Sequence, residues 1–328
     1  MTRRARPTRL SSGIDLRTRV GIVELPVPVM TASGTSGHAA ELEPYMDLSS
    51  LGAVVVKSLS IDPWDGNPAP RLLPLEAAML NSVGLQNRGV DHWLQSELPS
   101  LAATGARVVA SIWGCTASQY RDAASVLAKA ISSGTGPASS IVAVEANISC
   151  PNIEDRRKMF AHSTSGVRDA TSAAAEGLQG SVPLWAKLSP NVTDLTEMAR
   201  AAIDSGASSV TLINTVMGMA IDPATGAPKL GAGGGGLSGP AIHPVAVRAV
   251  YDCRTALPAV PIVGVGGVQT GEDAAELLAA GADAVQVGTA TFADPRAPAR
   301  ILEELARWCE ANEVTSIEQL KGRAHDRR

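Results

Sequence analysis

The apolar positions of the chain fall into short β-branched runs, and several of these runs follow a Gly-Ala pair. The pair stands shortly before such a run at Gly52-Ala53, Gly105-Ala106, Gly206-Ala207 and Gly281-Ala282. Residues 194–205 and 273–280, which precede two of the pairs, carry apolar residues at mostly helical spacing. Because a left-handed glycine commonly ends a helix, each pair predicts a helix, a short turn and a buried strand. Repetition of this unit is typical of parallel βαβ structure.

Eight apolar runs predict the strands of the fold. They lie at residues 27–31, 54–56, 108–109, 141–144, 184–188, 210–213, 262–265 and 285–287. Helical segments between most of them predict an α/β fold, a closed (β/α)8 TIM barrel, while an open doubly wound sheet stays open as the alternative. We expect one domain over residues 1–328, with flexible tails at 1–10 and 321–328. Residues 13–25 alternate weakly and predict an N-terminal hairpin that covers the bottom of the barrel.

Composition narrows the classes of protein to which the chain can belong. Of its 328 residues, 45% are hydrophobic and 18% are charged, which is ordinary for a globular chain. A net charge of −4 and an aromatic content of 3% argue against a nucleic-acid partner. No apolar run reaches the length of a transmembrane helix. Four cysteines without a CxxC pair argue against zinc and disulfide frameworks and favour a reducing, cytoplasmic location.

Two connections between the predicted strands are too long to be plain turns. Residues 58–86 are rich in proline and glycine, and residues 215–240 contain the run Gly231-Ala-Gly-Gly-Gly-Gly236. Long connections without secondary structure inside a compact domain are usually functional. In a barrel both would be insertions on the C-terminal face, where active sites are built.

The predicted strands end in residues suited to binding an anion. The seventh and eighth runs end at Gly266-Gly267 and Gly288-Thr289, where backbone N–H groups and helix N-termini predict a phosphate site. The alternative is that these glycines only make tight turns. The second and fifth runs end in Lys57 and Lys187. Since an unpaired buried charge is costly, these lysines predict an anionic cofactor or substrate unless they extend to solvent.

Amide side chains are the second polar feature of the predicted strand ends and of the first long connection. They belong to Asn81, Asn147, Asn152 and Asn214. Each amide both donates and accepts hydrogen bonds, as the edge of a pyrimidine or flavin ring requires. Any one of them is equally compatible with a turn, but all four on one face favour a ring ligand.

One cysteine stands where a catalytic residue is expected. Cys150 lies in a strand-end loop among polar neighbours, whereas Cys253 and Cys309 lie on helical segments and are predicted to be packing residues. No strand end carries a histidine, and we expect a surface position for His38, His92, His162 and His243. Without a histidine partner, Cys150 is predicted to be a general base rather than the nucleophile of a thiol protease.

These residues together resemble class 1 dihydroorotate dehydrogenases. Asn147-Ile-Ser-Cys-Pro-Asn152 is similar to the catalytic-loop motif of that family. The resemblance covers nearly the whole barrel, through residues 30–34, 56–58, 79–87, 187–191, 212–215, 235–240, 264–267 and 287–290. Residues 218–222, with the glycine run that follows them, most resemble the class 1B catalytic subunits.

The resemblance implies FMN-dependent oxidation of dihydroorotate to orotate in pyrimidine biosynthesis. Cys150 would remove a proton from ring C5 while a hydride passes from C6 to flavin N5. The implied substrate contacts are Lys57, Asn81, Gly84, Leu85, Asn147, Asn152, Asn214 and Thr215. The implied FMN contacts are Ala32, Ser33, Lys57, Ser58, Ser111, Asn147, Lys187, Ile213, Gly239, Gly266, Gly267, Gly288 and Thr289. Lys187 would stabilise negative charge on reduced FMN.

The chain departs from the class 1B pattern at two places. Ser111 stands where those enzymes more often have Asn, and residues 153–160 are more basic and poorer in glycine than usual. Arg156, Arg157 and Lys158 either close over an anionic substrate or form a solvated loop. The resemblance also implies a homodimeric core and a partner subunit with an iron–sulfur cluster and FAD, for which this chain supplies no cluster cysteines.

Other functions stay open on the sequence alone. A dihydropyrimidine dehydrogenase module acting on dihydrouracil would share Cys150, although that branch more often has His where this chain has Asn152. A flavin-free isomerase or lyase would use the phosphate site without needing Lys187. A non-enzymatic flavin-binding subunit and a class 1A enzyme that reduces fumarate are the remaining alternatives.

Overall fold

The structure, a computed structural model, describes residues 13–149 and 159–326. Its strands, numbered in chain order, are β1 (Thr18–Val20), β2 (Val23–Leu25), β3 (Val29–Thr31), β4 (Val54–Val55), β5 (Leu72–Pro74), β6 (Met79–Asn81), β7 (Val108–Ile112), β8 (Ile141–Asn147), β9 (Leu184–Leu188), β10 (Ser209–Leu212), β11 (Val216–Gly218), β12 (Gly235–Ser238), β13 (Ile262–Val265) and β14 (Ala284–Val287).

The α-helices are α1 (Val90–His92), α2 (Leu98–Ala103), α3 (Ala117–Ser132), α4 (Thr164–Leu178), α5 (Leu195–Asp204), α6 (His243–Ala256), α7 (Gly271–Ala280), α8 (Ala290–Ala293) and α9 (Ala297–Ala311). A π-helical turn, Trp93–Glu97, joins α1 to α2. Short 3-10 helices lie at Leu48–Ser50, Pro137–Ser140, Phe160–His162, Pro240–Ile242, Ile317–Gln319 and Arg323–His325. Over residues 13–149 and 159–326, no helix has both the length and the apolar character needed to span a membrane.

Eight strands form one parallel sheet in the order β3-β14-β13-β10-β9-β8-β7-β4. The two edges of this sheet meet, because the Gly52 N–H donates to the Val29 carbonyl at 2.8 Å and the Thr31 N–H donates to the Ala53 carbonyl at 3.3 Å. Helices surround the sheet on its outer side. The predicted (β/α)8 barrel is therefore confirmed, and the open doubly wound sheet is not the fold.

Each of the eight predicted runs overlaps a barrel strand, and the helices predicted over 194–205 and 273–280 are α5 and α7. The prediction that a left-handed glycine ends a helix is confirmed at Gly105, Gly206 and Gly281, whose φ angles are +77°, +103° and +121°. The prediction is wrong at Gly52, which is not at positive φ and lies where the first and last strands of the sheet meet. There a Cβ would lie 2.5 Å from the Val27 carbonyl oxygen, so close backbone approach explains this glycine.

The N-terminal hairpin is formed by β1 and β2, which pair antiparallel. The Thr18 hydroxyl donates to the carbonyl of Asp283, just before β14, at 2.7 Å. Val20, Val23 and Leu25 pack against inward-facing barrel residues, among them Trp185. The hairpin therefore closes the N-terminal end of the barrel, as predicted.

The two long connections are not structureless. Each contributes two strands, and the four pair as a second, antiparallel sheet in the order β11-β12-β6-β5. The central pairing sets Gly236 opposite Asn81 and Leu237 opposite Leu80. Both connections follow C-terminal ends of barrel strands, so this sheet stands over the face where they were expected. The glycine-rich sequence of β12 lacks the alternation that reveals a strand, which is why the prediction missed it.

The C-terminal residues 321–326 pack against the barrel, although their charges predict a flexible tail. The His325 ring stacks on Tyr251 with ring centroids 4.2 Å apart. The Gly322 N–H donates to the Leu278 carbonyl at 2.9 Å. These contacts hold the segment against α6 and α7. The predicted tail at 1–10 lies outside the described residues.

We predict that Leu25→Ala lowers the free energy of unfolding by about 3 kcal/mol, because Leu25 is buried against the inner barrel residues and its loss leaves a cavity. Glu24→Ala, at the exposed position of the same strand, is the matched control and should change the value by less than about 0.5 kcal/mol. Urea unfolding measures both. Equal values for the two variants would show that the hairpin does not support the barrel.

Candidate active site

A cavity of about 900 Å³ opens at the C-terminal ends of the barrel strands. Strand ends and the residues just after them form its floor, and the antiparallel sheet forms part of its wall. The predicted site residues that line it are Ala32, Ser33, Lys57, Ser58, Asn81, Gly84, Leu85, Asn147, Lys187, Ile213, Asn214, Thr215, Gly239, Gly266, Gly267, Gly288 and Thr289. The structure therefore brings residues from most of the chain length into one cavity.

The other predicted residues are either outside the described part of the chain or buried behind the cavity. Cys150 and Asn152 lie outside the described residues, as do Arg156, Arg157 and Lys158. Ser111 is described but is completely buried and does not line the cavity. Its hydroxyl lies 2.9 Å from the hydroxyl of Ser58, which does line it. Ser111 thus supports a cavity residue from behind, and its FMN contact stays a prediction.

A chain of hydrogen bonds orients the polar groups of the floor. The Ser58 hydroxyl lies 3.1 Å from that of Ser33 and accepts a hydrogen bond from the Asn147 amide at 3.1 Å. The Asn147 side-chain oxygen in turn accepts from the Asn214 amide at 3.1 Å. Asn214 also accepts from the Thr215 N–H at 2.8 Å. Since every link restricts the next side chain, the amides present fixed donors and acceptors to a ligand.

Asn191 also lines the cavity but is absent from the predicted set. Its amide donates to the Thr215 carbonyl at 3.0 Å and to the Ser189 hydroxyl at 2.8 Å. Its side-chain oxygen accepts from the Met217 N–H at 2.8 Å. Asn191 therefore ties the end of β9 to the start of β11. The available signal was its place at the end of residues 187–191, a segment that resembles the family.

The wall of the cavity is positioned by the pairing of β6 with β12. The Asn81 amide donates to the Gly236 carbonyl at 3.2 Å, across this pair. Beyond β6 the chain turns through Gly84 and Leu85, both at positive φ. Leu85 packs against Trp113, next to β7. These contacts fix a turn whose backbone faces the cavity.

The predicted phosphate site is a set of half-buried backbone donors. In the part of the chain that the structure describes, the N–H groups of Gly267, Gly288 and Thr289 donate to no other protein group. All three residues line the cavity. Unsatisfied N–H groups at the end of a cavity suit an anion such as a phosphate.

His243 is the main error of the histidine prediction, because it is buried and not at the surface. One ring nitrogen lies 2.8 Å from the Gly266 carbonyl and the other lies 3.1 Å from a Glu276 carboxylate oxygen. In a trans peptide the carbonyl and the next N–H point in opposite directions. By holding the Gly266 carbonyl, His243 therefore aims the Gly267 N–H away from α6.

Lys187 is buried on the floor, and its ammonium nitrogen lies 3.4 Å from the Gln286 side-chain oxygen and 3.9 Å from a Glu145 carboxylate oxygen. Lys57 is half-buried and makes no ion pair within the described ranges. Burial, followed by the positive charge of Arg71, lowers the pKa of Lys57, and Glu97 opposes this shift. An anion in the cavity would stabilise both ammonium groups.

The described cysteines are poor candidates for a base. Burial raises the pKa of Cys253 to about 12 and that of Cys309 to about 11, and it also raises the pKa of Cys115. Cys253 and Cys309 are completely buried in α6 and α9, as predicted for packing residues. A thiol with a raised pKa is mostly protonated at neutral pH and does not act as a base.

Comparisons with known proteins show which family the chain resembles. The profile of the family described as dihydroorotate dehydrogenase matches residues 15–308 of the chain. A curated relative named putative dihydroorotate dehydrogenase A (fumarate), from Solibacter usitatus, is 43% identical over 94% of this chain and 98% of its own. Two relatives named dihydroorotate dehydrogenase B (NAD(+)), catalytic subunit, are 42% identical in Geotalea uraniireducens and 41% in Alkaliphilus metalliredigens. They match 94% of this chain and 97% and 98% of theirs, respectively.

We predict that Gly267→Ala destabilises the protein more than Gly134→Ala does. Both glycines have positive φ, which costs an alanine about 1–2 kcal/mol. A Cβ at Gly134 meets open space, whereas at Gly267 it would lie 2.6 Å from the His243 Cβ and 2.9 Å from the Gly239 carbonyl oxygen. Overpacking should therefore add about 1–3 kcal/mol at Gly267. Urea unfolding of both variants tests this, and equal losses would contradict the tight packing behind the backbone donors.

Proposed function

The chain belongs to the dihydroorotate dehydrogenase family, and on that premise we propose that it oxidises dihydroorotate to orotate with FMN in pyrimidine biosynthesis. The main support for this proposal is that one cavity combines two lysines, a network of amides and backbone N–H groups that donate to no other described group. An anionic pyrimidine and a phosphate-bearing flavin need this mixture of groups. We take the whole chain to act as one domain in the cytoplasm.

The donor set of the cavity fits FMN. Gly267, Gly288 and Thr289 offer N–H groups for its phosphate, and Gly239 and Gly266 stand beside them without side chains. At the other end of the floor, Lys187 and Ser58 are available for the polar edge of the ring system. The remaining FMN residues on this proposal are Ala32, Ser33, Lys57, Asn147 and Ile213. FMN, when bound, supplies the acceptor for the substrate hydride.

The substrate would lie against the amide network and the wall of the cavity. Asn147 and Asn214 are joined by a hydrogen bond, so the orientation of both amides is set before the ligand enters. The same cavity is also lined by Asn81, Thr215 and residues 84–85. Lys57 would neutralise the substrate carboxylate, which relieves the unfavourable burial of its own charge. Asn152 completes the set on the family resemblance alone.

The proton would be taken by Cys150. Strand β8 ends at Asn147, and Ser149, which lines the cavity, is two residues further along the chain. Cys150 is the next residue in the chain after this cavity residue. The three described cysteines are buried with raised pKa values, so they do not compete for this role.

The electron acceptor needs its own test, because the names of the relatives differ on it. One name gives fumarate, and the others give NAD(+) and describe a catalytic subunit. We propose the second kind, with a homodimeric core and an iron–sulfur, FAD-containing partner subunit. Rapid reoxidation of the reduced chain by fumarate alone would contradict this choice.

We predict that anaerobic addition of dihydroorotate bleaches the visible absorption band of the purified, FMN-loaded chain. Dihydrouracil at the same concentration should bleach it far more slowly, since it lacks the carboxylate that Lys57 would bind. Stopped-flow absorbance measures both. Faster bleaching by dihydrouracil would favour the dihydropyrimidine alternative, and failure of the chain to bind FMN would overturn the proposal.

We predict that Cys150→Ser keeps FMN bound but slows flavin reduction by dihydroorotate at neutral pH by about 10²- to 10⁴-fold, because a serine hydroxyl is a far weaker base than a thiolate. Cys115→Ser is the matched control, since Cys115 is buried beside Trp113 and does not line the cavity. A Cys150→Ser protein that is reduced as fast as the wild type would exclude Cys150 as the base.

A further inference from the structure

A second layer of side chains inside the barrel is polar, although the layer beneath it is apolar. In the lower layer, Ala143, Trp185 and Ala284 pack with the hairpin. Two residues further along each strand, and therefore facing inward again, come Glu145, Lys187 and Gln286. Thr211, which is paired with Lys187 across β9 and β10, adds a hydroxyl to this layer. The layer is the buried floor beneath the cavity.

Glu145 is the anionic member of this layer and is completely buried. One carboxylate oxygen accepts hydrogen bonds from the Gln286 amide at 2.8 Å and from the Thr211 hydroxyl at 3.0 Å. The other oxygen has no hydrogen-bond partner in the described part of the chain and lies 3.9 Å from the Lys187 nitrogen. Gln286 also presents its side-chain oxygen to that nitrogen at 3.4 Å.

The charges of Glu145 and Lys187 depend on each other. An ammonium or carboxylate buried without a countercharge is costly, and the neutral form is favoured instead. The strands packed against Lys187 present Glu145 from β8, Thr211 from β10 and Gln286 from β14. Among the described residues that line the cavity, the other charged side chain is Lys57, which has the same sign. Glu145 is thus the group that can balance Lys187.

We propose that Glu145 is a positioning residue that keeps Lys187 charged and directed at the cavity floor, through the hydrogen bonds from Gln286 and Thr211. This inference rests on the proposed function in so far as the charge acts on a flavin. When FMN is bound, a charged Lys187 would balance the negative charge that the cofactor gains on reduction. Without Glu145, burial would disfavour the charged form of Lys187, and a further proton would accompany reduction of the bound cofactor.

The variant that tests this is Glu145→Gln, which keeps an oxygen to accept from Gln286 and Thr211 but removes the charge. Lysine side-chain NMR on the apo chain reports whether Lys187 is charged, independently of any flavin. At neutral pH we expect the Lys187 signal of Glu145→Gln to differ from that of the wild type, because the buried ammonium has lost its countercharge. Lys187→Arg assigns the signal.

The second measurement is the midpoint potential of the bound flavin against pH. In Glu145→Gln we expect the potential to fall about twice as steeply with pH as in the wild type, since two protons accompany two electrons instead of one. Glu145→Asp keeps the charge and should keep the wild-type slope. Glu176→Gln is the matched control for loss of a carboxylate, because Glu176 pairs with Arg121 on the exposed surface.

The outcomes separate the two ideas. An unchanged Lys187 signal in Glu145→Gln overturns the inference, and so does a wild-type slope in that variant when the wild type binds FMN. A changed signal in the apo chain together with failure of the wild type to bind FMN supports the role of Glu145 but overturns the proposed function. Circular dichroism of each variant at each pH shows that the comparison is made on folded protein.

Discussion

The closure of eight parallel strands into a barrel is the constraint on which the rest of the structure depends. Backbone hydrogen bonds from Gly52 to Val29 and from Thr31 to Ala53 bring the first and last strands of the sheet together. Because all strands run in one direction, their C-terminal ends meet on one face, and groups far apart in the chain come within hydrogen-bonding distance there. At the opposite end the hairpin packs apolar side chains against the inner residues of the barrel.

The interior of the barrel changes from apolar to polar within one layer of side chains. Trp185 belongs to the apolar layer, and Lys187, two residues later on the same strand, belongs to the polar one. In the polar layer, one Glu145 oxygen accepts hydrogen bonds from Gln286 and Thr211, and the other lies 3.9 Å from the Lys187 nitrogen. The cavity is therefore supported by an apolar layer, and Glu145, which does not line it, balances the charge of Lys187, which does.

The two long connections complete the site that the strand ends begin. Their four strands pair over the barrel, and β12 contributes glycines where the backbone passes close to other groups. A Cβ at Gly236 would collide with the Thr215 side chain, which lines the cavity. The glycine run thus lets the backbone of the cavity wall pass close to neighbouring groups. Gly267 instead contributes one of the backbone N–H groups that are available to an anion. Glycines therefore shape the wall of the cavity, while Lys57 and Lys187 give it positive charge.

The sequence alone determined the local features of this protein. The eight strand positions, the helix-ending glycines at 105, 206 and 281, and many residues of the cavity follow from patterns within a few neighbouring residues or from motifs of the family. Tertiary structure decided the closure of the barrel, the pairing of the two long connections, the burial of His243 and the position of Ser111 behind Ser58. It also decided the contact of Glu145 with Gln286, which are 141 residues apart. Such contacts leave no local signal, because their energy arises only when distant strands have come together.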